Sequence, residues 1–279
     1  MNNLEKRKLI SNIALSLSVM AALIGIFWLV FIIIEVLIKG LSSIDLSLFL
    51  KDPAPPGIKG GGLRSAFVGQ LLMSLVATII GVPIGILGGT FISEYGRNLR
   101  ISRIISDVSD IMMSFPSIVV GTFVYAIIVK PMGHFSGIAG SIALAIIMIP
   151  IVLRTTEQTL KLIPWELREA AFALGAPYYR VIIDVVYRSA SAGLLTGVIL
   201  SIARVAGETA PLLFTSFNNP FFTLNMNQPM PSLTVTIYQY AMGPYSDWHK
   251  LAWAASFVIT ITILLVSLFS KWMIRRFKA

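Results

Sequence analysis

Charged side chains divide this chain into long neutral runs. No Asp, Glu, Lys or Arg occurs between Lys8 and Glu35, Arg64 and Glu94, Asp110 and Lys130, Lys130 and Arg154, or Lys250 and Lys271. Each run is close to the ~20 residues a helix needs to cross the hydrocarbon layer of a bilayer. A further apolar stretch, Ser189 to Thr215, is interrupted only by Arg204 and Glu208. In lipid a backbone has no water to bond to, so segments of this length must satisfy their own polar groups as helices. The pattern predicts an all-α integral membrane protein of six transmembrane helices, at Leu9–Ile34, Phe67–Ile92, Ile111–Val129, Gly137–Leu153, Ser189–Thr215 and the stretch before Lys271. Composition agrees. With 56% hydrophobic and 13% charged residues, about half the charged fraction of a soluble domain, there is more apolar surface than one globular core can hide.

The basic residues set the expected orientation, because Lys and Arg gather on the cytoplasmic side of short loops. Lys6, Arg7 and Lys8 precede the first span, and Arg97, Arg100 and Arg103 follow the second. Arg154, Lys161, Arg168, Arg180 and Arg188 lie between the fourth and fifth; Lys271, Arg275, Arg276 and Lys278 follow the last. These are 15 of the 22 basic residues, all on one face. A multi-pass protein of the cell inner membrane with both termini cytoplasmic is expected. The same bias accounts for most of the net charge of +9, so no nucleic-acid partner is expected. The first run is far longer than the core of a secretory signal and is expected to stay as an anchor. Cysteine is absent, which removes disulfides and thiolate metal sites, and no metal is expected.

The chain divides into an N-terminal anchor helix with an external Pro/Gly loop, residues 1–65, and a core of five transmembrane helices, residues 66–276. The loop carries Pro53, Pro55 and Pro56, then Gly57, Lys59, Gly60, Gly61 and Gly62. No G-K-[ST] follows, so it reads as a flexible linker and not as a phosphate cradle. Gly81 and Gly85 in the second span have the G-x-x-x-G spacing that lets another helix approach closely, and Pro83 between them is expected to bend the helix. Asp107 and Asp110 mark the start of the third span, with Pro116 in its first two turns. The fourth span is expected to end at Pro150 and Arg154. The external segment from Ser216 to Lys250 is too rich in aromatics and prolines for a plain linker, and suits a membrane-inserted or partner-contacting loop.

The predicted cytoplasmic loop between the fourth and fifth spans, from Ile163 to Arg188, holds the most information. Pro164 fits a helix start, Glu166 and Glu169 lie near its positive end, and Gly175 with Pro177 supplies a stop. A short helix, a sharp turn and a second helix follow. Its centre, with Ala170, Ala171 and Ala173, is smooth enough to seat in a groove of another protein, and by composition alone fits better a helix lying on lipid headgroups. The spacing Glu169-Ala170-Ala171-x-x-x-Gly175 resembles the conserved loop of the permease subunits of bacterial ABC importers. The resemblance implies a type I importer permease fold in which Glu169, Ala170, Ala171 and Gly175 belong to a coupling helix, covering residues 164–176, that contacts a separate ATPase. The chain departs from the family at the far end of the loop, where Val185, Val186, Tyr187 and Arg188 stand in place of Ile-x-Leu-Pro.

Arg204 and Glu208 are the remaining anomaly. A membrane-centred Arg costs ~3 kcal/mol on insertion scales and is expected to face protein or water. Four residues apart on a continuous helix, the two share a face and can pair. A guanidinium also presents a planar fork of donors suited to oxyanions, so the two fit either a structural pair or an anion path. The stretches Ala203 to Thr215 and Pro150 to Gln158 resemble permeases of phosphate-specific ABC importers, and the likeness runs from about Gly60 to Met273. It implies a substrate path containing Arg204, Glu208, Thr209 and Arg154. It also implies a second related permease, an ATPase dimer, and an extracytoplasmic phosphate-binding protein. ATP and magnesium would belong to the ATPase, with no cofactor in this chain and no enzymatic activity of its own. An importer of sulfate or molybdate is the alternative within this class, since one Arg cannot distinguish tetrahedral anions. An ion-coupled secondary transporter is the alternative outside it, distinguished by working without an ATPase. A membrane enzyme needs a cluster of acid and base groups at membrane depth, and the two histidines, His134 and His249, are both predicted external.

Overall fold

A computed structural model describes residues 3–58 and 60–277, with side chains described from Leu4 to Trp272. Lys59 and Lys278 therefore lie outside the described residues. Among those described there are helices and turns but no strand. Five helices are long and apolar enough to cross a membrane, and six if one sharply bent pair counts as a single span. The long elements are α1 (Asn3–Leu41), α3 (Arg64–Tyr95), α6 (Gly137–Lys161), α8 (Tyr178–Ala206) and α11 (Ser246–Phe277). Between them lie α2 (Ser47–Leu50), α4 (Arg100–Ser114), α5 (Ser117–Met132), α7 (Trp165–Ala173), α9 (Ala210–Thr215) and α10 (Leu233–Met242).

The closest pairing is α3 on α6, and glycine makes it possible. A Cβ on Gly81 would stand 3.1 Å from Met148, on Gly85 2.6 Å from Val152, on Gly88 2.9 Å from Leu153 and on Gly89 2.5 Å from the Leu153 carbonyl. Lipid tails are as apolar as the helix surfaces, so association in a membrane depends on dense contact, which small residues permit. The expected G-x-x-x-G face is thus the seam of the bundle, and α3 runs unbroken through Pro83. Around the seam lies the main core, with Met73, Leu144, Met148, Val152 and Leu212 fully buried. Outside it, α1 is exposed from Leu4 to Ile34 and reaches the bundle only near its end. There Gly40 meets Phe257, and Lys39 lies over the Trp253 ring at 4.9 Å.

Two of the expected spans are broken, and a proline explains each break. The third was expected as one helix over Ile111–Val129. It is instead the bent pair α4 and α5, meeting at 103°. Pro116 has no N–H and drives the preceding residue out of the helical region, and Phe115 is extended at φ −71°, ψ 138°. The fifth was expected to continue to Thr215, but α8 ends at Ala206 and α9 starts at Ala210. In a continuous helix the Pro211 ring would collide with the Gly207 carbonyl. α9 then packs on α5, where a Cβ on Gly121 would lie 2.6 Å from Pro211 Cα.

Two further boundaries moved. α6 extends past Arg154 to Lys161, because Arg154, Glu157 and Lys161 pair along its surface at i,i+3 and i,i+4 spacings. The Ser216–Lys250 segment folds back on the bundle: Met230 and Val235 belong to the main core. It also caps α6, whose Gly137 and Ile138 N–H groups donate to the carbonyls of Gln228 at 3.0 Å and Met226 at 2.9 Å. These are orphan donors of a helix start that this segment satisfies.

Gly89→Val should lower the midpoint of thermal unfolding in detergent by forcing α3 from α6, an overpacking cost of roughly 1–3 kcal/mol. Gly25→Ala, on the exposed part of α1 with nothing within 4 Å of the added Cβ, should leave the midpoint unchanged.

Candidate functional site

The short helix α7 is built as the sequence spacing requires. Pro164 precedes it at φ −57°, ψ 141°, and Glu166 lies in the first turn. Gly175 closes it at φ +80°, a left-handed conformation that favours glycine. The Gly175 N–H donates to the Phe172 carbonyl at 2.9 Å and the Ala176 N–H to the Ala171 carbonyl at 3.2 Å, the paired bonds of a Schellman stop. Of the four residues singled out, Glu169, Ala170 and Gly175 are exposed, while Ala171 turns toward the small core of Leu160, Val181, Val186 and Ala190. Leu162 and Leu174 flank the open face at 81% and 89% exposure. A small-residue surface with an acidic group and bare leucines at its edges is suited to covering by protein.

What holds α7 in place was not anticipated. Arg168 and Glu94 form a bidentate pair, with Nη2 to Oε1 at 2.6 Å and Nε to Oε2 at 2.9 Å; both side chains are almost fully buried. The remaining guanidinium N–H groups donate to the carbonyls of Leu160 at 3.2 Å, Ile163 at 2.8 Å and Pro164 at 3.2 Å. All five donors are used, which is the condition for tolerating a buried charge. The Tyr178 hydroxyl donates to the Glu94 carbonyl at 2.7 Å, and the Tyr178 ring stacks on Phe172. Glu94 lies in a π-helical turn, Phe91–Tyr95, at the end of α3, so the pair joins the ends of α3 and α6 to α7. Sequence alone offers one weak signal, a carboxylate at the end of an uncharged run. No spacing rule connects it to an arginine 74 residues away.

Arg154 faces α4. Its Nε and Nη2 bind the two Asp110 oxygens, the former at 2.6 Å, and Nη1 reaches Glu157 Oε2 at 2.6 Å and Ser106 at 3.1 Å. Glu157 is 3% exposed and also accepts from Lys161 at 2.6 Å. In this conformation Arg154 is a tie between α4 and α6.

Arg204, Glu208 and Thr209 fall at the break after α8. Arg204 is in the last helical turn, whereas Glu208 lies beyond the helix end, its carbonyl bonded by the Thr234 hydroxyl at 2.8 Å. The expected sharing of a helix face therefore does not occur, and Arg204 makes no ion pair or side-chain hydrogen bond with a described residue. Its side chain is exposed on the bundle surface. Thr209 immediately precedes α9. A cleft of about 780 Å³ opens between α6 and α8, lined by Thr155, Gln158, Thr159, Thr196 and Arg188 among others. Gly197 lines this cleft, and Arg204 follows it by about two helical turns on the same face of α8.

Known proteins give this arrangement a context. Residues 81–279 match the family model described as the binding-protein-dependent transport system inner membrane component. A protein of Pasteurella multocida named phosphate transport system permease protein PstA is 49% identical over 95% of this chain and 94% of its own. The protein of the same name from Yersinia pestis is 47% identical over 94% and 88%. Among solved structures, the inward-facing MetNI methionine ABC transporter aligns with 77% of this chain and 95% of its own at a TM-score of 0.59 and 19% identity, a likeness of fold. The chain belongs to the family of inner membrane components of binding-protein-dependent transport systems, with the ABC importer permease fold.

Proposed function

We propose that this chain is one of the two membrane permeases of an ATP-driven importer of inorganic phosphate, an integral transport subunit whose ATP hydrolysis is performed by a partner. The observation that carries the substrate is near full-length identity of 49% and 47% to proteins named phosphate transport system permeases. A chemical observation agrees with it. Arg204, at the end of an apolar helix, is exposed and without a side-chain partner among the described residues. Such a group is tolerated at membrane depth only against water or protein, and its fork of donors fits a tetrahedral oxyanion.

The path runs past Arg204, Glu208 and Thr209 and along the hydroxyl-lined cleft between α6 and α8. A second, related permease supplies its other wall. Arg154 joins this path if its guanidinium exchanges carboxylate oxygens for those of the anion as α4 moves. The basic end of the bundle is cytoplasmic, as are both termini. On that side the exposed face of α7 at Glu169 and Ala170 docks an ATPase dimer, which holds ATP and magnesium, while an extracytoplasmic binding protein delivers phosphate to the opposite end. Import proceeds by alternating access. An anion gains charge-assisted bonds as it loses water.

Proteoliposomes carrying the assembled complex, with ATP on the ATPase side, should take up radiolabelled phosphate and not sulfate or molybdate; equal uptake of sulfate would reject the substrate assignment. Arg204→Gln should leave the subunits co-purifying and reduce uptake about ten- to a hundredfold, the loss of charge-assisted bonds worth ~1.5–3 kcal/mol. Normal uptake by that variant rules out its place on the path. Glu169→Lys should weaken ATPase co-purification or dissociate hydrolysis from uptake, and unaltered association with unaltered uptake counts against the docking role of α7.

A further inference from the structure

Resting on the transport reading above, we infer that the buried Glu94–Arg168 pair is the linkage through which movement of α7 reaches the transmembrane bundle. Three observations converge on it. The docking face of α7 touches little of its own bundle: Glu169 and Ala170 are exposed, and α7 contacts chiefly the π-helical turn Val181–Val186 near the start of α8. Its firm attachment to α3 is the bidentate pair at 2.6 and 2.9 Å. Arg168 immediately precedes Glu169, so a displacement at the docking face is delivered directly to the guanidinium.

The pair is also anchored at both ends. On the α7 side, Arg168 binds three carbonyls at the junction of α6 and α7. On the α3 side, Glu94 also accepts from Ser93 at 3.1 Å, and its own carbonyl takes the Tyr178 hydroxyl at 2.7 Å. At the end of α3, Glu94 therefore holds α7 through its carboxylate and the start of α8 through its main-chain carbonyl. From there the glycine seam of α3, with a Cβ on Gly85 only 2.6 Å from Val152, makes α3 and α6 shift as one body. An apolar contact of the same volume can slide, whereas two parallel charge-assisted bonds hold direction as well as distance. Glu94 and Arg168 are thus positioning residues, acting through the helices they join and never touching the anion.

The test uses the complete complex in proteoliposomes, comparing phosphate delivered with ATP hydrolysed. Glu94→Gln keeps shape and removes charge; the ATPase should still co-purify, because the docking face is unaltered, while phosphate delivered per ATP falls about tenfold, within the range typical of coupling between sites. A lone buried Arg168 destabilises the fold, so Glu94→Met combined with Arg168→Met is made in parallel. An apolar pair of similar volume often preserves stability, and this variant should assemble, hydrolyse ATP and show the same tenfold loss of delivery per ATP. A wild-type ratio in either variant that assembles overturns the linkage. Assembly lost in both variants also overturns it, since the pair would then serve folding alone. If the unaltered complex imports no phosphate with ATP, the transport reading itself fails, a result separable from these.

Discussion

Close approach of α3 and α6 is the contact on which the other elements are placed. Four glycines on one stripe of α3 remove the side chains that would hold the helices apart, and Met148, Val152 and Leu153 fill the space. In a membrane no hydrophobic driving force separates this arrangement from a looser one, so density of contact decides it. Once the two helices are joined, their ends on the basic side lie near each other. Glu94 at the end of α3 then comes within bonding distance of Arg168, just past the end of α6. A bundle packed one turn out of register would leave both charges buried and unpaired, at a cost of roughly 3–5 kcal/mol. The apolar seam and the buried ion pair therefore specify the same register.

The polar groups of the bundle divide by what they do. Arg168 and Arg154 spend their donors on carboxylates and carbonyls and join helices. Arg204 spends none on the described side chains and lies on the surface, where a partner subunit, water or an anion can meet it. Chemically identical residues are thus separated into ties and a free donor by their neighbours alone. The prolines act in a comparable way. Pro116 and Pro211 break two spans, and the broken ends, α5 and α9, pack against each other.

Much of this was legible in the residues. Neutral runs between charges located the long helices, because the bilayer imposes a length that few sequences meet by accident. The glycine spacing at Gly81 and Gly85 identified the seam, and Pro164 with Gly175 bounded α7 correctly, because each depends on local backbone chemistry. The breaks in the third and fifth spans were missed although their prolines were in view. A membrane helix can continue through proline when neighbours satisfy the freed carbonyl, as α3 does at Pro83 and α6 at Pro150. Which prolines bend a helix depends on what packs around them. Arg204 and Glu208 do not share a helix face for the same reason, since that expectation assumed a helix continuing beyond Gly207.

By itself the amino-acid order determined that the chain enters lipid, where its long apolar helices lie, which of their ends are basic, and where the short helix α7 starts and stops. Those properties follow from interactions over a few residues or from the thickness of a bilayer. Only the tertiary structure decided that Glu94 and Arg168 meet, that Arg154 reaches across to Asp110, and that Arg204 bonds no described side chain. Charge pairing in three dimensions depends on helix register and crossing, set by the packing of whole faces, and no residue spacing along the chain encodes it.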